Sequence, residues 1–374
     1  MLRAIGKTCF AHAYTWAYAG RALGKRTDVT LQSMPFIVCY HRVVENFARA
    51  VKHAIPSMLI STAMFEQHID WLAKRFSIVA LDEIGSHIEF PERFSRPAAA
   101  ITFDDGYSDV YHHALPILKR KGIPSAVFVV TGLAGTSRPQ LFDRLYLVLR
   151  CLSSRGAALV PTVSCALLSL GIESPALDAL GQKRDDPFGV MTVLLKALPQ
   201  RDLEKATSML EKSADISRDA QQEIAPLSWE MITSMHRNGV TIGSHTHAHS
   251  LLTSEKFQTA CNELCESKRI LETKLRTAVE HFAYPDGEFN PAVVEAVKSA
   301  GYRYGYGICA SRDPQAPLLT IPRKVLWERS CLNAMGRFSS AVMNCQVYRA
   351  FEPKDHCEHD HSLVRKAGEY ARLH

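Results

Sequence analysis

An apolar run over Ala98–Phe103 ends in two adjacent carboxylates, Asp104 and Asp105, and then in Gly106. A short continuous apolar stretch closed by a turn signal reads as a buried strand. Val110, Tyr111, Ala114, Leu115 and Leu118 then recur at helical spacing, so the acids sit in a strand-to-helix turn that Gly106 makes possible. A buried strand feeding a helix is the unit of open α/β sheets and α/β barrels, which gather reactive groups at the C-terminal ends of their strands. The pattern recurs at Phe36–Tyr40, which ends in His41, and at 125–130, which ends in Thr131-Gly132. Strands are also predicted at 239–242, before Gly243-Ser244-His245-Thr246-His247-Ala248-His249, and at 318–321, before Arg323.

Two ionised carboxylates side by side repel, and a cation or a shared proton must resolve the conflict. His245 and His249 are one helical turn apart, so a turn of helix or a tight loop brings both imidazoles to one side. One Asp with two His makes an open divalent-metal site, and His247 then points elsewhere. Each signal has a plainer reading: Asp-Asp-Gly as a solvated turn, His-x-x-x-His as a polar loop. Their joint position after predicted strands favours the metal site.

The run Thr102-Phe103-Asp104-Asp105-Gly106-Tyr107, the segment Ser244-His245-Thr246-His247-Ala248-His249, and Phe282-Ala283-Tyr284-Pro285-Asp286-Gly287 follow one another in an order that resembles the polysaccharide deacetylases of carbohydrate esterase family 4, in its exopolysaccharide-associated branch. The resemblance runs from about Phe36 to Arg323 and implies an irregular (β/α)7 TIM-like barrel. It also implies a hydrolase of carbon–nitrogen bonds other than peptide bonds, which removes acetyl groups from sugars with the help of a metal. By position, Asp105, His245 and His249 resemble the metal ligands, Asp104 the catalytic base, and the amide of Asp286 the donor to the oxyanion. The arginine that many members carry before the Pro-Tyr motif is absent, since Ala283-Tyr284-Pro285-Asp286 stands there. Arg323 resembles its substitute in the Phe-Ala-Tyr-Pro branch; the alternative is a surface arginine at a strand end. The late Leu-x-His motif is also missing. His41, in Tyr40-His41-Arg42-Val43, resembles the N-terminal histidine of the exopolysaccharide branch and is the candidate general acid, expected to face the metal from the side opposite Asp104. Its alternative is a hydrogen-bonded structural histidine.

Composition bounds these readings. The 374 residues are 47% hydrophobic and 22% charged, which suits a globular barrel with an additional subdomain. A net charge of +6 with no basic run gives nucleic-acid binding little support, and no stretch reads as a transmembrane segment. The ten cysteines show no disulfide spacing, and the N-terminus lacks a continuous apolar core with a cleavage site, so a reducing, cytoplasmic location is expected. Cys261 and Cys265 are expected as buried thiols on a helical stripe with Phe257, Leu264, Leu271 and Leu275.

The expected organisation is a peripheral segment over 1–33, a barrel over 34–350 interrupted by a mostly helical insertion at 136–226, and a polar tail over 351–374. The insertion either lines the sugar groove or only covers apolar surface. The tail cluster of His356, Cys357, His359 and His361 reads as solvated. The expected activity is metal-dependent deacetylation of N-acetylated sugar units in an oligo- or polysaccharide or its precursor, with zinc as the first choice of divalent ion and an acetylated glycan as partner. A noncatalytic carbohydrate-binding relative and a hydrolase of another small amide are the alternatives.

Overall fold

Apolar strands, three of which are followed directly by His41, Asp104 and His245, assemble into one parallel ring. The computed structural model describes residues 2–22, 34–90, 96–172, 180, 186–214, 223–309 and 312–352. Strands β1 (Phe36–Tyr40), β5 (Ala98–Phe103), β6 (Ala126–Val129), β7 (Thr241–Ser244), β8 (His281–Ala283) and β9 (Tyr304–Gly307) are adjacent in the order β1-β5-β6-β7-β8-β9, all parallel. The last segment is split in two: β10 (Ile321–Pro322) pairs with β9, and β11 (Lys324–Val325) pairs with β1. The pairings therefore run round to their start, and the chain forms an α/β barrel with seven strand positions. A short strand, β4 (Ser77–Ile78), adds to β5 near its start, and β2 (Arg42–Val44) pairs with β3 (Leu59–Ser61) in a separate two-stranded sheet.

Strand alternation sorts the side chains. Ile37, Ala100, Ala126, Phe128, Ala283, Tyr304, Tyr306 and Ile321 fill the inside of the ring, plugged by Leu81 and Ile84. Their neighbours in sequence, among them Val38, Tyr40, Ile101, Phe103, Val127 and Phe282, join the larger cluster under the surrounding helices. Close packing leaves room only for glycine at two strand positions. A Cβ on Gly243 would stand 2.5 Å from the Phe128 ring, and one on Gly305 would stand 2.3 Å from the Leu319 carbonyl oxygen.

The boundaries differ from expectation in informative places. The histidine strand is Thr241–Ser244 rather than 239–242, because Gly239, at φ +83°, and Val240 belong to the turn that ends the helix Trp229–Arg237. That helix is capped, as expected, by Ser228, whose hydroxyl accepts from the Met231 amide. The last strand lies at 321–325 rather than 318–321, which puts Arg323 inside the strand break instead of beyond its end. Cys265 is exposed and Cys261 half-buried, correcting the expected buried pair. The helix Phe257–Leu275 buries Ala260, Leu264, Ser267 and Leu271, a stripe that Cys265 leaves by a hundred degrees of helix rotation.

Between β6 and β7, the helices Leu141–Ser154, Leu159–Ser169, Pro187–Ala197 and Gln200–Glu211 pack on one another around Leu145, Leu149, Val163, Leu194 and Leu203. At the other end, the helix Leu2–Ala22 lies on the helix Ser340–Val347, with Ala11 against Val342 and Cys345. The tail histidines and Cys357 lie outside the described residues. Among the described residues no helix is long and apolar enough to cross a membrane.

Candidate metal centre and active site

The inward positions at the C-terminal ends of β5 and β7 are Asp104 and His245, so alternation within two buried strands already aims a carboxylate and an imidazole into the mouth of the barrel. The following loops do the rest, at a conformational cost. Asp105, Thr246, His249 and Asp286 all have positive φ, between 54° and 70°. Such left-handed non-glycine residues are sparse in proteins, and here they gather at one site, where the fold holds them.

Asp105, His245 and His249 converge, with one potential ligand atom from each within 4.8 Å of the others. The Nε2 atoms of His249 and His245 lie 3.1 and 3.4 Å from Asp105 Oδ1. Neither contact has hydrogen-bond geometry, and both carboxylate oxygens are buried without a hydrogen-bond partner. The opposite ring nitrogen of His245, Nδ1, is 2.8 Å from the Ala283 carbonyl oxygen, so it carries the proton and leaves the Nε2 lone pair free. Burial works against charge on His245, but Asp104 and Asp105 outweigh it and raise its pKa; Asp105 itself, despite burial, is held far below the carboxylate range by the two imidazoles. Orphaned carboxylate oxygens facing two imidazole nitrogens fit a divalent cation of the zinc type. Asp105 is 1% exposed, His245 2% and His249 18%, so the centre opens to solvent on the His249 side.

Asp104 is held differently. Arg323, fully buried, donates from Nη1 to Oδ1 and from Nη2 to Oδ2, both at 2.7 Å. The guanidinium also reaches Thr102 Oγ1 at 3.3 Å and the Gly307 carbonyl at 3.4 Å, and it lies over the Phe128 ring at 5.1 Å. Burial opposes ionisation of Asp104, yet Arg323 prevails and holds its pKa below the usual range. Arg323 is therefore an interior residue, and the reading of it as a surface arginine is ruled out. Its place follows from the break in the last strand, where it faces inward between β9 and β1.

His41 follows β1, with its Nδ1 buried and without a hydrogen-bond partner. It shares a 4.8 Å cluster with Cys39 and Asp104, so it is a neighbour of the aspartate rather than a group facing it across a substrate. Asp286 lies in the turn Pro285–Gly287, just beyond Ala283, whose carbonyl orients His245. His247 turns away, with Nδ1 3.0 Å from Thr131 Oγ1. It borders a cavity of about 100 Å³ between the histidine loop and the insertion, also lined by Leu133, Arg138, Leu141, Arg144 and Gln200.

Sequence reasoning missed several groups here. The Cys39 thiol donates to Asp104 Oδ2 at 3.2 Å. The insertion also reaches the site: Gln140 donates to the Asp105 carbonyl at 3.2 Å, the Phe142 ring lies 5.1 Å from that of His249, and Tyr107 donates to Asp143 Oδ2 at 2.6 Å. Burial pushes Asp143 up to about 7 against the pull of Arg42. One signal was present in the sequence, since Asp143 is an acid between the apolar residues Leu141, Phe142 and Leu145 at the start of the helix Leu141–Ser154.

Comparisons with known proteins agree with this architecture. A family model described as polysaccharide deacetylase matches residues 92–147 and 185–305. The putative polysaccharide deacetylase YxkH of Bacillus subtilis (strain 168) is 20% identical over 261 residues, covering 69% of this chain and 62% of that protein, so the match spans less than two thirds of the relative. Among solved structures, the deacetylase PplD of Streptococcus pyogenes, in complex with acetate, is similar with a TM-score of 0.52 and 16% identity over 86% of this chain and 98% of that one. IcaB from Ammonifex degensii aligns at a TM-score of 0.49 and 18% identity, over 79% and 92% of the two chains. The PplD likeness is one of fold, while the family likeness rests on the matched sequence. Over residues 92–147 and 185–305 the chain matches the polysaccharide deacetylase family.

Proposed function

We propose that the protein is a metal-dependent hydrolase that removes acetyl groups from N-acetylated sugar units of an oligo- or polysaccharide or its precursor. The observation that carries this reading is the pairing of two aspartates in different states: Asp105, with both oxygens orphaned among imidazoles, beside Asp104, clamped by an arginine. Asp105, His245 and His249 would hold the ion, with zinc favoured by the two-imidazole, one-carboxylate donor set. A divalent ion bound there supplies Lewis acidity toward water and the acetyl carbonyl.

The chain's own residues divide the remaining work. Asp104 is the proton acceptor. Its Oδ2 is occupied by Arg323 and Cys39, whereas Oδ1 accepts from Arg323 alone and keeps a lone pair for an incoming proton. Arg323 keeps the carboxylate ionised and fixes its plane. His41, in the same cluster as Asp104, is assigned the transfer of a proton to the departing sugar amine, a role its nearness to the aspartate supports. The Asp286 amide, in its left-handed turn, is the candidate donor to the developing oxyanion. The insertion over 136–226, in this reading, shapes the rim of the glycan groove, since Gln140 and Phe142 touch the aspartate and histidine loops.

The test is acetate release from a panel of acetylated sugars, from monosaccharide to polymer and with N- and O-acetyl members, by zinc-reconstituted protein. Release from N-acetylated glycans, lost in Asp104→Asn, is the expected result. Binding of glycans with no acetate released from any member would establish a noncatalytic relative, and release only from simple acetamides would move the substrate outside carbohydrates.

A further inference from the structure

Between residues 5 and 17 the helix Leu2–Ala22 uses one face to hold the body of the protein and leaves the other without charge. Its inner face carries Lys7, Ala11 and Tyr14, packed on Ala341, Val342, Cys345 and Phe351. Lys7 is turned inward as well, donating to the Ser330 carbonyl at 3.1 Å. Between residues 5 and 17 the exposed positions are Ile5, Gly6, Cys9, Phe10, His12, Ala13, Trp16 and Ala17, with not one charged group among them. Trp16 is 82% exposed, Phe10 47% and Ile5 40%. A surface helix of a globular protein normally turns its charges outward, whereas between residues 5 and 17 the one charged side chain, Lys7, is turned inward.

Charge lies at the margins, and it is of one sign. Over residues 2–22 the sequence has basic residues and no acid, and among the described side chains Arg3 is exposed while Lys7 is the one turned inward. The turn at 333–337 is tied to the helix by the Ala334 amide, which donates to Thr8 Oγ1 at 2.9 Å, and it adds exposed Met335 and Arg337. Glu352, beside the Phe351 that packs on Phe10, is already paired with Lys324 and Arg349. An uncharged face with exposed Ile5, Phe10 and Trp16 around His12, basic at its edges and free of acid, matches the boundary of an anionic bilayer, where aromatic rings settle among headgroups and basic side chains meet lipid phosphates.

We propose that the face of helix Leu2–Ala22 bearing Ile5, Phe10 and Trp16, together with Met335, docks this protein on an anionic lipid surface without spanning it. The inference is independent of the deacetylase reading. It is tested by flotation of the full chain with vesicles of phosphatidylcholine alone and of roughly 7:3 phosphatidylcholine to phosphatidylglycerol, at about 0.1 M and about 0.5 M salt. The protein should float with the anionic vesicles at low salt and be released at high salt. Trp16 emission should shift to the blue, a signal readable because Trp71 is buried and Trp229 and Trp327 are partly buried. Ile5→Ser/Trp16→Ser should weaken partition about tenfold or more, and Arg3→Gln about fivefold, with unchanged far-ultraviolet circular dichroism. Equal recovery with neutral and anionic vesicles would overturn the proposal, as would undiminished partition of the double variant. So would a concentration-dependent dimer that the double variant abolishes while vesicles recruit nothing, because a second copy would then cover the face.

Discussion

Arg323→Met tests the central physical claim, that one buried ion pair holds Asp104, the proposed base. The substitution keeps most of the stem that fills the barrel and deletes the guanidinium, so packing changes little while Asp104 loses both 2.7 Å bonds. With both partners at most 4% exposed, the remaining carboxylate cannot recover its hydration. Removing one member of such a pair costs about 3–5 kcal/mol, and Coulomb attraction at an effective dielectric near 20 gives a similar figure of about 4 kcal/mol. Asp104→Asn should also destabilise, by leaving the arginine unpaired. The double variant Arg323→Met/Asp104→Asn leaves no buried charge at this spot and should be more stable than the sum of the single losses predicts, with a coupling of about 2–4 kcal/mol. Denaturant unfolding of the four proteins, followed by tryptophan fluorescence, measures this. The pH dependence has a definite sign. Because the folded-state pKa of Asp104 is lowered, its contribution is complete above the ordinary carboxylate range and is lost as pH falls through the lowered value. The gap between wild type and Arg323→Met should therefore narrow in acid. Single losses that add to within about 0.5 kcal/mol would refute the pairing argument.

Two further outcomes follow from the same geometry. His68 is buried, with Tyr40 Oη 3.1 Å from Nδ1 and Nε2 unpartnered, and burial pushes its pKa down to about 3. The unfolded chain takes up a proton near pH 6.5 that the folded chain refuses, so stability is complete above that value and falls by about 1.4 kcal/mol per pH unit toward 3. His68→Gln should remove about 2 kcal/mol of the loss between pH 7 and pH 5 in denaturant midpoints; an unchanged pH dependence would show that His68 is solvated or paired. In zinc titration, Asp104→Asn should retain the ion while turnover falls by about two orders of magnitude or more, whereas Asp105→Asn should lose affinity for the ion. Equal zinc binding by the two variants would overturn the division between ligand and base.

How much of the site was legible depended on how far apart its members lie along the chain. Asp104 and Asp105 are adjacent, and His245 and His249 are one turn apart, so each pair carries its own local signature. Cys39, Gln140, Phe142 and Asp143 have no such signature. Each is an ordinary residue of a strand or helix and becomes part of the site only when the barrel and the insertion bring it within 3.2 Å of Asp104, within 3.2 Å of the Asp105 carbonyl, against the His249 ring and within 2.6 Å of Tyr107, respectively. The expectation that His41 faces the metal from the side opposite Asp104 differs from the structure for the same reason. A strand-end residue's neighbours are set by the adjoining strand, and β1 pairs with β5 in a register that sets Tyr40 beside Phe103 and so brings the next residues, His41 and Asp104, together.

The sequence by itself determined the strand-and-helix alternation, the candidate site residues and their delivery to one end of the barrel, because burial and side-chain alternation are properties of short segments. Tertiary structure alone decided which residues share a charge. Arg323 stands far from Asp104 along the chain, and they meet because β10 and β11 split the last strand so that it pairs with β9 on one side and β1 on the other. A guanidinium turned into that break finds one buried carboxylate within reach, and ring closure, a property of all seven strand positions together, places it there.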